Sequence, residues 1–370
     1  MNTRMRRAAV AVAAGAMAVS LAACGSAKES GDKAESSGSA SKSDNIKVGL
    51  LLPENKTARY EKFDKPLIEK KIKELTDNKA EVLYNNARQD ASLQSQQVDT
   101  MITNKVDVLI VDAVDAKAIK NSVQKAVDQG IKVVAYDRLA EGPISAYTSF
   151  DNEEVGKTQG AALLKALGSK ATKSSKIVMI NGSVTDPNDA QFKAGAHSAL
   201  DGKVTVAKEY DTKEWSPDNA NSEMEAAISA VGGKNIAAVY SANDGMAGGI
   251  ITALKAAGLK VPVTGQDAEL SAVQRVIVGD QYMSVFKSYP SEANVAGEMA
   301  VALAKGESLD SIAKDKVSSG SAKDVPSVLV PVVSLTKDNI NDTVIKEGYY
   351  TPAEICTGKY KAACDELGIK

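Results

Sequence analysis

Short runs of β-branched and other apolar residues recur through the body of this chain, roughly every 25 to 30 residues. They lie at 46–52, 80–86, 106–112, 131–136, 177–181, 204–210, 236–241 and 261–265. Segments with the periodicity of amphipathic helices separate them, at 60–75, 93–103, 116–129, 155–167, 220–231 and 245–257. Alternating strands and helices are typical of βαβ units, and apolar runs such as 106–111 are typical of buried parallel strands. The pattern predicts an α/β fold with parallel sheets flanked by helices.

The alternation is interrupted at 145–151, where a short extended segment follows the strand at 131–136 without a full helix between them. Asp151 then fits the N-cap of a helix, with Glu154 completing a capping box. The segment 46–370 is also longer than a domain with a single hydrophobic core usually is. We therefore predict two Rossmann-like lobes with a boundary at this interruption, and a ligand cleft at the carboxyl ends of their strands.

Polar side chains follow most of the predicted strands. The candidates for ligand binding are Arg59, Tyr60, Asp137, Arg138, Asp186, Asn188, Asn243, Asp267 and Lys287, together with Trp215, the only tryptophan, in the loop at 211–217. Carboxylates accept hydrogen bonds from vicinal hydroxyls, and Arg and Lys donate to hydroxyl or ring oxygens. An aromatic ring covers the C–H face of a pyranose. Because cations and carboxylates are mixed, a neutral sugar is the predicted ligand.

Each of these residues also has a purely structural interpretation. Asp137 and Arg138 could form an ion pair at a strand end, and Asp186 precedes a proline as helix N-caps often do. Asn243 fits a cap or a turn, and Trp215 could pack between lobes. Their shared position at the same end of successive strands favours binding.

The first 23 residues have the layout of a bacterial export signal. Three arginines precede a run of small apolar residues that is too short for a standard membrane span. The run ends in Leu-Ala-Ala-Cys at 21–24, which resembles a lipobox and predicts lipidation of Cys24; an ordinary signal peptide with a coincidental cysteine is the alternative. Residues 24–45 contain no large apolar side chain and predict a flexible linker with a reach of roughly 25 Å. We expect an exported body anchored at the outer face of the cell membrane.

Composition excludes several classes of site. Removal of the signal would shift the formal charge from −2 to −5, which disfavours nucleic-acid binding. The single histidine, His197, excludes a site with two histidines and fits a packed helix residue. Cys356 and Cys364 lie close together near the C-terminus of an exported chain, which predicts a local disulfide. We expect no catalytic residues, no metal and no cofactor.

Five stretches resemble the periplasmic binding proteins of the ribose/galactose type, and most closely their xylose-binding branch. They are Val-Val-Ala-Tyr-Asp-Arg at 133–138, Ser-Phe-Asp-Asn-Glu at 149–153, Ser-Ala-Asn-Asp at 241–244, Gly-Gln-Asp-Ala at 265–268 and Lys-Asp-Val-Pro-Ser at 323–327. The resemblance covers 46–348 and implies a type I periplasmic binding protein with a three-strand hinge. It places the sugar contacts on the same candidate residues, with Trp215 stacking on one ring face and Tyr60 standing where the family often has tryptophan.

The resemblance further implies chain crossings between the lobes near Ser149, Lys287 and Asp324. This predicts an N-terminal lobe of 46–149 plus 288–323, a C-terminal lobe of 150–287 plus 324–348, and a C-terminal tail at 349–370. Closure of the lobes on the sugar would present the closed form to the permease of an ABC importer. The receptor would act as a monomer.

The sequence thus predicts a lipid-anchored, non-enzymatic receptor for D-xylose or for another monosaccharide such as ribose, arabinose, glucose or galactose. A sugar-responsive transcription regulator would need a helix-turn-helix before the first strand. A hydrolase would use paired carboxylates such as Asp186 and Asp267. A receptor that docks on a membrane sensor would have the same binding residues.

Overall fold

The computed structural model describes residues 45–370. The predicted signal, the lipidation site at Cys24 and nearly all of the predicted linker lie outside these residues. Within the described part, no helix is long and apolar enough to cross a membrane.

The first lobe is built on a seven-stranded sheet. Its strands are β1 (Lys47–Leu52), β2 (Glu81–Asn86), β3 (Val108–Val111), β4 (Lys132–Tyr136), β5 (Ala146–Phe150), β10 (Asp315–Val317) and β11 (Val325–Val330). Their order is β10-β11-β5-β4-β3-β1-β2, and all pairs are parallel except the antiparallel edge pair of β10 and β11. The parallel pairing of β1 to β5 aligns their carboxyl ends at one edge, as predicted.

The second lobe has smaller sheets, of three and two strands. Its strands are β6 (Lys176–Asn181), β7 (Thr205–Asp211), β8 (Ile236–Ser241), β9 (Ser284–Lys287) and β12 (Val332–Leu335). One sheet has the parallel order β7-β6-β8, and β12 pairs antiparallel with β9. The strand predicted at 261–265 is reduced to a single parallel bridge between Val263 and Val239, since Pro262 in this segment has no N–H to donate.

Helices cover the sheets on both faces. They are α1 (Lys65–Leu75), α2 (Ala91–Thr103), α3 (Lys120–Asp128), α4 (Asn152–Leu167), α5 (Pro187–Leu200), α6 (Pro217–Val231), α7 (Asp244–Ala256), α8 (Leu270–Val278), α9 (Tyr289–Lys305), α10 (Pro352–Ile355) and α11 (Lys361–Glu366). The predicted helix at 60–75 begins with a π-helical turn at Tyr60–Asp64, and the one predicted from 116 begins only at Lys120. Asp151 is the N-cap of α4, as expected, and accepts a hydrogen bond from the Glu154 amide. The predicted capping box is not formed, because the Asp151 amide donates to the Val330 carbonyl and not to the Glu154 side chain.

Close contact between α4 and α5 fixes the helix that carries part of the cleft. A methyl group on Gly156 would lie 1.8 Å from the Phe192 carbonyl oxygen, and one on Gly195 would lie 2.0 Å from the Glu153 carbonyl oxygen. Only glycine therefore lets these backbones approach so closely. The contact seats α5 with its N-terminus at the cleft.

The chain passes between the two sheet systems at three places. The first follows Phe150 at the end of β5, and the second is Ser288, between β9 and α9, which packs on the first sheet. The third lies between Val330 and Val332, because β11 pairs with β5 in the first sheet and β12 pairs with β9. The division into lobes remains a proposal, but this pairing assigns residues 325–330 to the first lobe and moves the third crossing beyond Asp324.

The C-terminal tail packs against the second lobe. Cys356 and Cys364 form a disulfide within it. Ile355 and Cys364 are buried in one apolar cluster with Val273 and Ile277 of α8. The tail is therefore an integral part of the folded body.

Candidate functional site

One cleft between the lobes is lined by all of the side chains predicted to bind ligand. They are Arg59, Tyr60, Asp137, Arg138, Asp186, Asn188, Trp215, Asn243, Asp267 and Lys287. Thr57, Phe192 and Gln266 also line it and were not among the candidates. Phe192 lies one helical turn after Asn188 on α5, a spacing that could have revealed it.

Arg59 is the centre of the charge network on the first lobe. Its guanidinium donates to Asp64 at 2.7 and 3.1 Å, to Asp137 Oδ1 at 3.0 Å, and to Glu292 of α9. Burial alone would lower the pKa of Arg59, but these carboxylates raise it well above its usual value. The same burial raises the pKa of Glu292 well above its ordinary range. Arg59 therefore stays charged among these carboxyl groups.

Asp137 lies between the cations of the site. Burial alone would raise the pKa of this carboxyl, but Arg59, Lys287 and Arg138 outweigh burial and lower the pKa. Its Oδ2 is 3.4 Å from the Tyr60 hydroxyl. An ionised, buried Asp137 can accept hydrogen bonds from ligand hydroxyls.

Arg138 reaches from the first lobe to the second. Its Nε lies 2.9 Å from Asp186 Oδ2 and 3.5 Å from Asp112 Oδ1, while its Nη1 donates to the Ala113 carbonyl at 3.0 Å. Burial raises the pKa of Asp186, and Arg138 opposes this shift. Asp112, which the candidates did not include, lies fully buried behind the arginine. Arg138 thus links the lobes through Asp186.

The structural interpretations of Asp186 and Asn243 hold alongside their place in the cleft. Asp186 caps α5 by accepting from the Asn188 amide at 2.9 Å, and Asn243 caps α7 by accepting from the Met246 amide at 2.9 Å. The Asn188 side chain donates across the cleft to the Asp137 carbonyl at 3.1 Å. Capping uses one oxygen of each capping side chain; the other oxygen of Asp186 faces Arg138, and the amide nitrogen of Asn243 is left for a ligand.

Asp267 and Lys287 form a buried ion pair, with Nζ 3.1 Å from Oδ1. The Lys287 ammonium also lies 5.2 Å from the Phe150 ring centroid and 5.3 Å from that of Phe192. The two rings hold the cation over the cleft through cation–π attraction. Asp267 and Lys287 come from adjacent strand ends of the second lobe, as the topology rule predicts.

Trp215 forms an aromatic wall of the cleft. Its ring stands edge-on to Phe192 at a centroid distance of 6.2 Å, and its side chain is buried. The indole rests against Gly182, where an added methyl group would lie 2.0 Å from the ring. A glycine at this strand end therefore makes room for the tryptophan.

Three cleft residues have strained backbone conformations. Asp137 has φ of 56°, Trp215 has φ of 53° and Asp267 has φ of 95°, in the left-handed region that side chains rarely adopt. Such conformations cost about 1–3 kcal/mol each and are typical of ligand clamps. They aim these three side chains inward at the expense of local stability.

The cleft is narrow, with a cavity volume of about 30 Å³. Three of its buried polar atoms have no hydrogen-bond partner among the described residues: Asn188 Oδ1, Trp215 Nε1 and Gln266 Oε1. Buried polar groups are normally paired, so these atoms indicate a polar ligand. A ligand with many hydroxyls could supply both donors and acceptors.

Other candidate chemistry lies outside the cleft. His197 is on the outer side of α5, 2.9 Å from Asp201 and 3.4 Å from Glu209. Its pKa is raised by these carboxylates, although partial burial acts in the opposite direction. No group of His, Cys, Asp and Glu suited to holding a metal ion occurs within residues 45–370.

Comparisons with known proteins agree with this geometry. The chain is 38% identical to the D-xylose-binding periplasmic protein of Escherichia coli over 247 residues, covering 65% of this chain and 72% of that protein. It is 35% identical to a multiple sugar-binding periplasmic protein of Azospirillum brasilense, over 63% and 70% of the two chains.

A solved ABC transporter solute-binding protein from Clostridium phytofermentans with bound β-D-glucose has a TM-score of 0.76 and 29% identity, and the match covers 84% of this chain and 99% of that one. This confirms the predicted type I periplasmic binding protein fold. Residues 48–308 match the model of the periplasmic binding protein domain, and the chain belongs to that family.

Proposed function

We propose that this chain is an extracytoplasmic receptor that binds a monosaccharide, with D-xylose favoured, and delivers it to the permease of an ABC importer. The observation that carries the proposal is the single cleft in which carboxylates, cations and carboxamides surround the Trp215 ring. Charged donors and acceptors on all sides fit the hydroxyls of a neutral polyol, and an aromatic wall fits a pyranose face.

The relatives support the choice of sugar. The 38% identical relative is named for D-xylose, whereas the structural neighbour at 29% identity holds β-D-glucose. Hexoses are therefore the principal alternative, and they differ from xylose by one CH2OH group. A second alternative, which uses the same cleft, is sugar sensing through a membrane sensor.

Binding would couple to closure of the lobes. Contacts that already join the lobes include Arg138 with Asp186 at 2.9 Å, Asn188 with the Asp137 carbonyl at 3.1 Å, and the Ala116 amide with the Thr185 carbonyl at 3.2 Å. Lys56 and Glu214 also meet across the rim, at 3.0 Å. Because these contacts span the cleft and its lining side chains are buried, sugar entry would require the lobes to separate at the three crossings. A sugar that contacts both lobes then stabilises the closed form by its differential contacts.

The receptor performs no chemical step in this proposal, since sugar is released unchanged to the permease. Lipidation at Cys24 would keep the body at the outer face of the membrane, within the linker's reach of its partner. Incubation with D-xylose or a xyloside should leave both unaltered by NMR, and any turnover would contradict the non-enzymatic role. Metabolic labelling with a fatty acid should mark the wild type and not Cys24→Ser.

Isothermal titration calorimetry of residues 45–370 tests the proposal, with D-xylose, D-ribose, L-arabinose, D-glucose and D-galactose as titrants. We expect one site with highest affinity for D-xylose. Asp137→Asn should weaken binding by roughly 10- to 150-fold, because a charge-assisted hydrogen bond is worth about 1.5–3 kcal/mol. Asp342→Asn, which changes an exposed aspartate, should leave binding unchanged. Absence of heat with every sugar would contradict the proposal.

A further inference from the structure

The C-terminal tail contacts the second crossing between the lobes. Tyr349 is buried, and its ring lies 4.9 Å from that of Phe286, 5.2 Å from that of Tyr289 and 4.9 Å from that of Phe63. Phe286 belongs to β9, Tyr289 begins α9, and Phe63 comes from the first lobe. One aromatic side chain of the tail therefore touches both sides of the crossing.

The hydroxyl of Tyr349 makes a hydrogen bond on each side of Ser288. It donates to the Lys287 carbonyl at 2.6 Å and accepts from the Tyr289 amide. That amide is the first of α9 and has no intrahelical partner, and the Ser288 side chain does not cap the helix. Tyr349 thus satisfies a helix terminus that the local sequence leaves open.

These bonds lead directly to the cleft. Lys287 is the cation paired with Asp267, and the Tyr289 hydroxyl donates to the Asp267 carbonyl at 2.6 Å. The Tyr289 ring also lies 4.5 Å beneath the Arg59 guanidinium. The Tyr349 hydroxyl therefore bonds the backbone of Lys287 and Tyr289. These two residues in turn contact the charged cleft residues Asp267 and Arg59.

We propose that Tyr349 is a positioning residue for the cleft: its hydroxyl holds the backbone of Lys287 and Tyr289 in register across Ser288, so that Lys287 and Asp267 meet the ligand. The family match ends at residue 308, so this role belongs to a part of the chain outside it. The inference rests on the proposed sugar-binding function for its effect on affinity. Its effect on the crossing itself is independent of any sugar.

The test replaces one hydroxyl at a time. Tyr349→Phe keeps the ring packing and removes both hydrogen bonds, whereas Tyr289→Phe removes only the link to Asp267. Tyr360→Phe removes a hydroxyl from the same tail and is the matched control. Amide hydrogen exchange of the peptide spanning 284–292 is measured without sugar, and the dissociation constant for D-xylose is measured by calorimetry.

We expect Tyr349→Phe to speed exchange of the Tyr289 amide by about tenfold and to weaken xylose binding by roughly 3- to 10-fold, as the loss of a buried hydrogen-bond partner predicts. If the two tyrosines act in series, the variant with both changes should bind no more weakly than Tyr349→Phe. Tyr360→Phe should change neither quantity.

A merely structural role would lower the unfolding midpoint of Tyr349→Phe without altering its xylose affinity or the exchange at 284–292, and that result would overturn the proposal. If the wild type binds no sugar, the proposed function fails, and hydrogen exchange still decides whether Tyr349 holds the crossing. Unchanged exchange in Tyr349→Phe would refute the contact itself.

Discussion

Gly182→Ala tests whether Trp215 forms the binding wall of the cleft. The backbone of Gly182 is not in the left-handed region, so alanine can adopt its conformation. The new methyl group would lie 2.0 Å from the indole, where ordinary contacts begin at 3.4 Å, so the ring would retreat by about 1.4 Å. Overpacking of this kind costs about 1–3 kcal/mol. If the displaced ring weakens its contact with bound sugar by this amount, the affinity for D-xylose should fall by roughly 5- to 150-fold.

Trp215 is the only tryptophan of the chain, so its fluorescence reports on this site alone. We expect a shifted emission maximum in Gly182→Ala without ligand, and a weaker response to D-xylose with a proportionally larger dissociation constant. Gly245→Ala is the matched control, because its methyl group would meet atoms no closer than 3.8 Å. Cooperative unfolding well above the assay temperature would show that both variants are folded.

Two results would refute the reasoning. Unchanged emission and affinity in Gly182→Ala would mean that the indole has room that the structure does not show. A shifted emission with unchanged affinity would mean that Trp215 does not contact the sugar.

Three further variants probe the buried charges and the tail. Burial raises the pKa of Glu269 from 4.5 to about 8. Between these two pH values the folded chain keeps the Glu269 proton and the unfolded chain releases it, so the free energy of unfolding falls as pH rises from about 4.5 to about 8. Glu269→Gln should remove this contribution, a change of about 3–4 kcal/mol in the free energy of unfolding between pH 5 and pH 8, measured by urea unfolding. Glu292→Gln keeps an oxygen that accepts from Arg59, and burial raises the pKa of Glu292 well above its ordinary range, so sugar affinity at pH 7 should stay within about threefold by calorimetry. Replacing Cys356 and Cys364 by serine should lower the free energy of unfolding by about 2–3 kcal/mol in the chain-entropy model, again by urea.

The sequence predicts the cleft well because parallel strands end at a common edge. Asp137 and Asn243 follow strands and Lys287 ends one, and the three sheets to which these strands belong present them to the same cleft. Pairing requires only that the strands exist and run parallel. Periodicity detects both features in long apolar runs.

The partners behind the cleft could not be predicted in the same way. Glu292 lies 233 residues from Arg59 in the chain, and their contact depends on α9 returning to the first lobe after the second crossing. Tyr349 bonds the crossing from a tail that has no strand-end pattern. Local sequence patterns carry no information about such long-range contacts. They also overestimate the strand at 261–265, which is reduced to a single bridge because Pro262 has no backbone N–H to donate.

The most direct test of the account is a crystal structure of residues 45–370 grown with D-xylose. We predict one pyranose between the lobes, with a ring face on Trp215 and hydroxyls bonded to residues of both lobes, including Asp137 and Asp267. Ordered sugar elsewhere on the surface, or a ligand-free cleft at saturating xylose, would contradict the central claim.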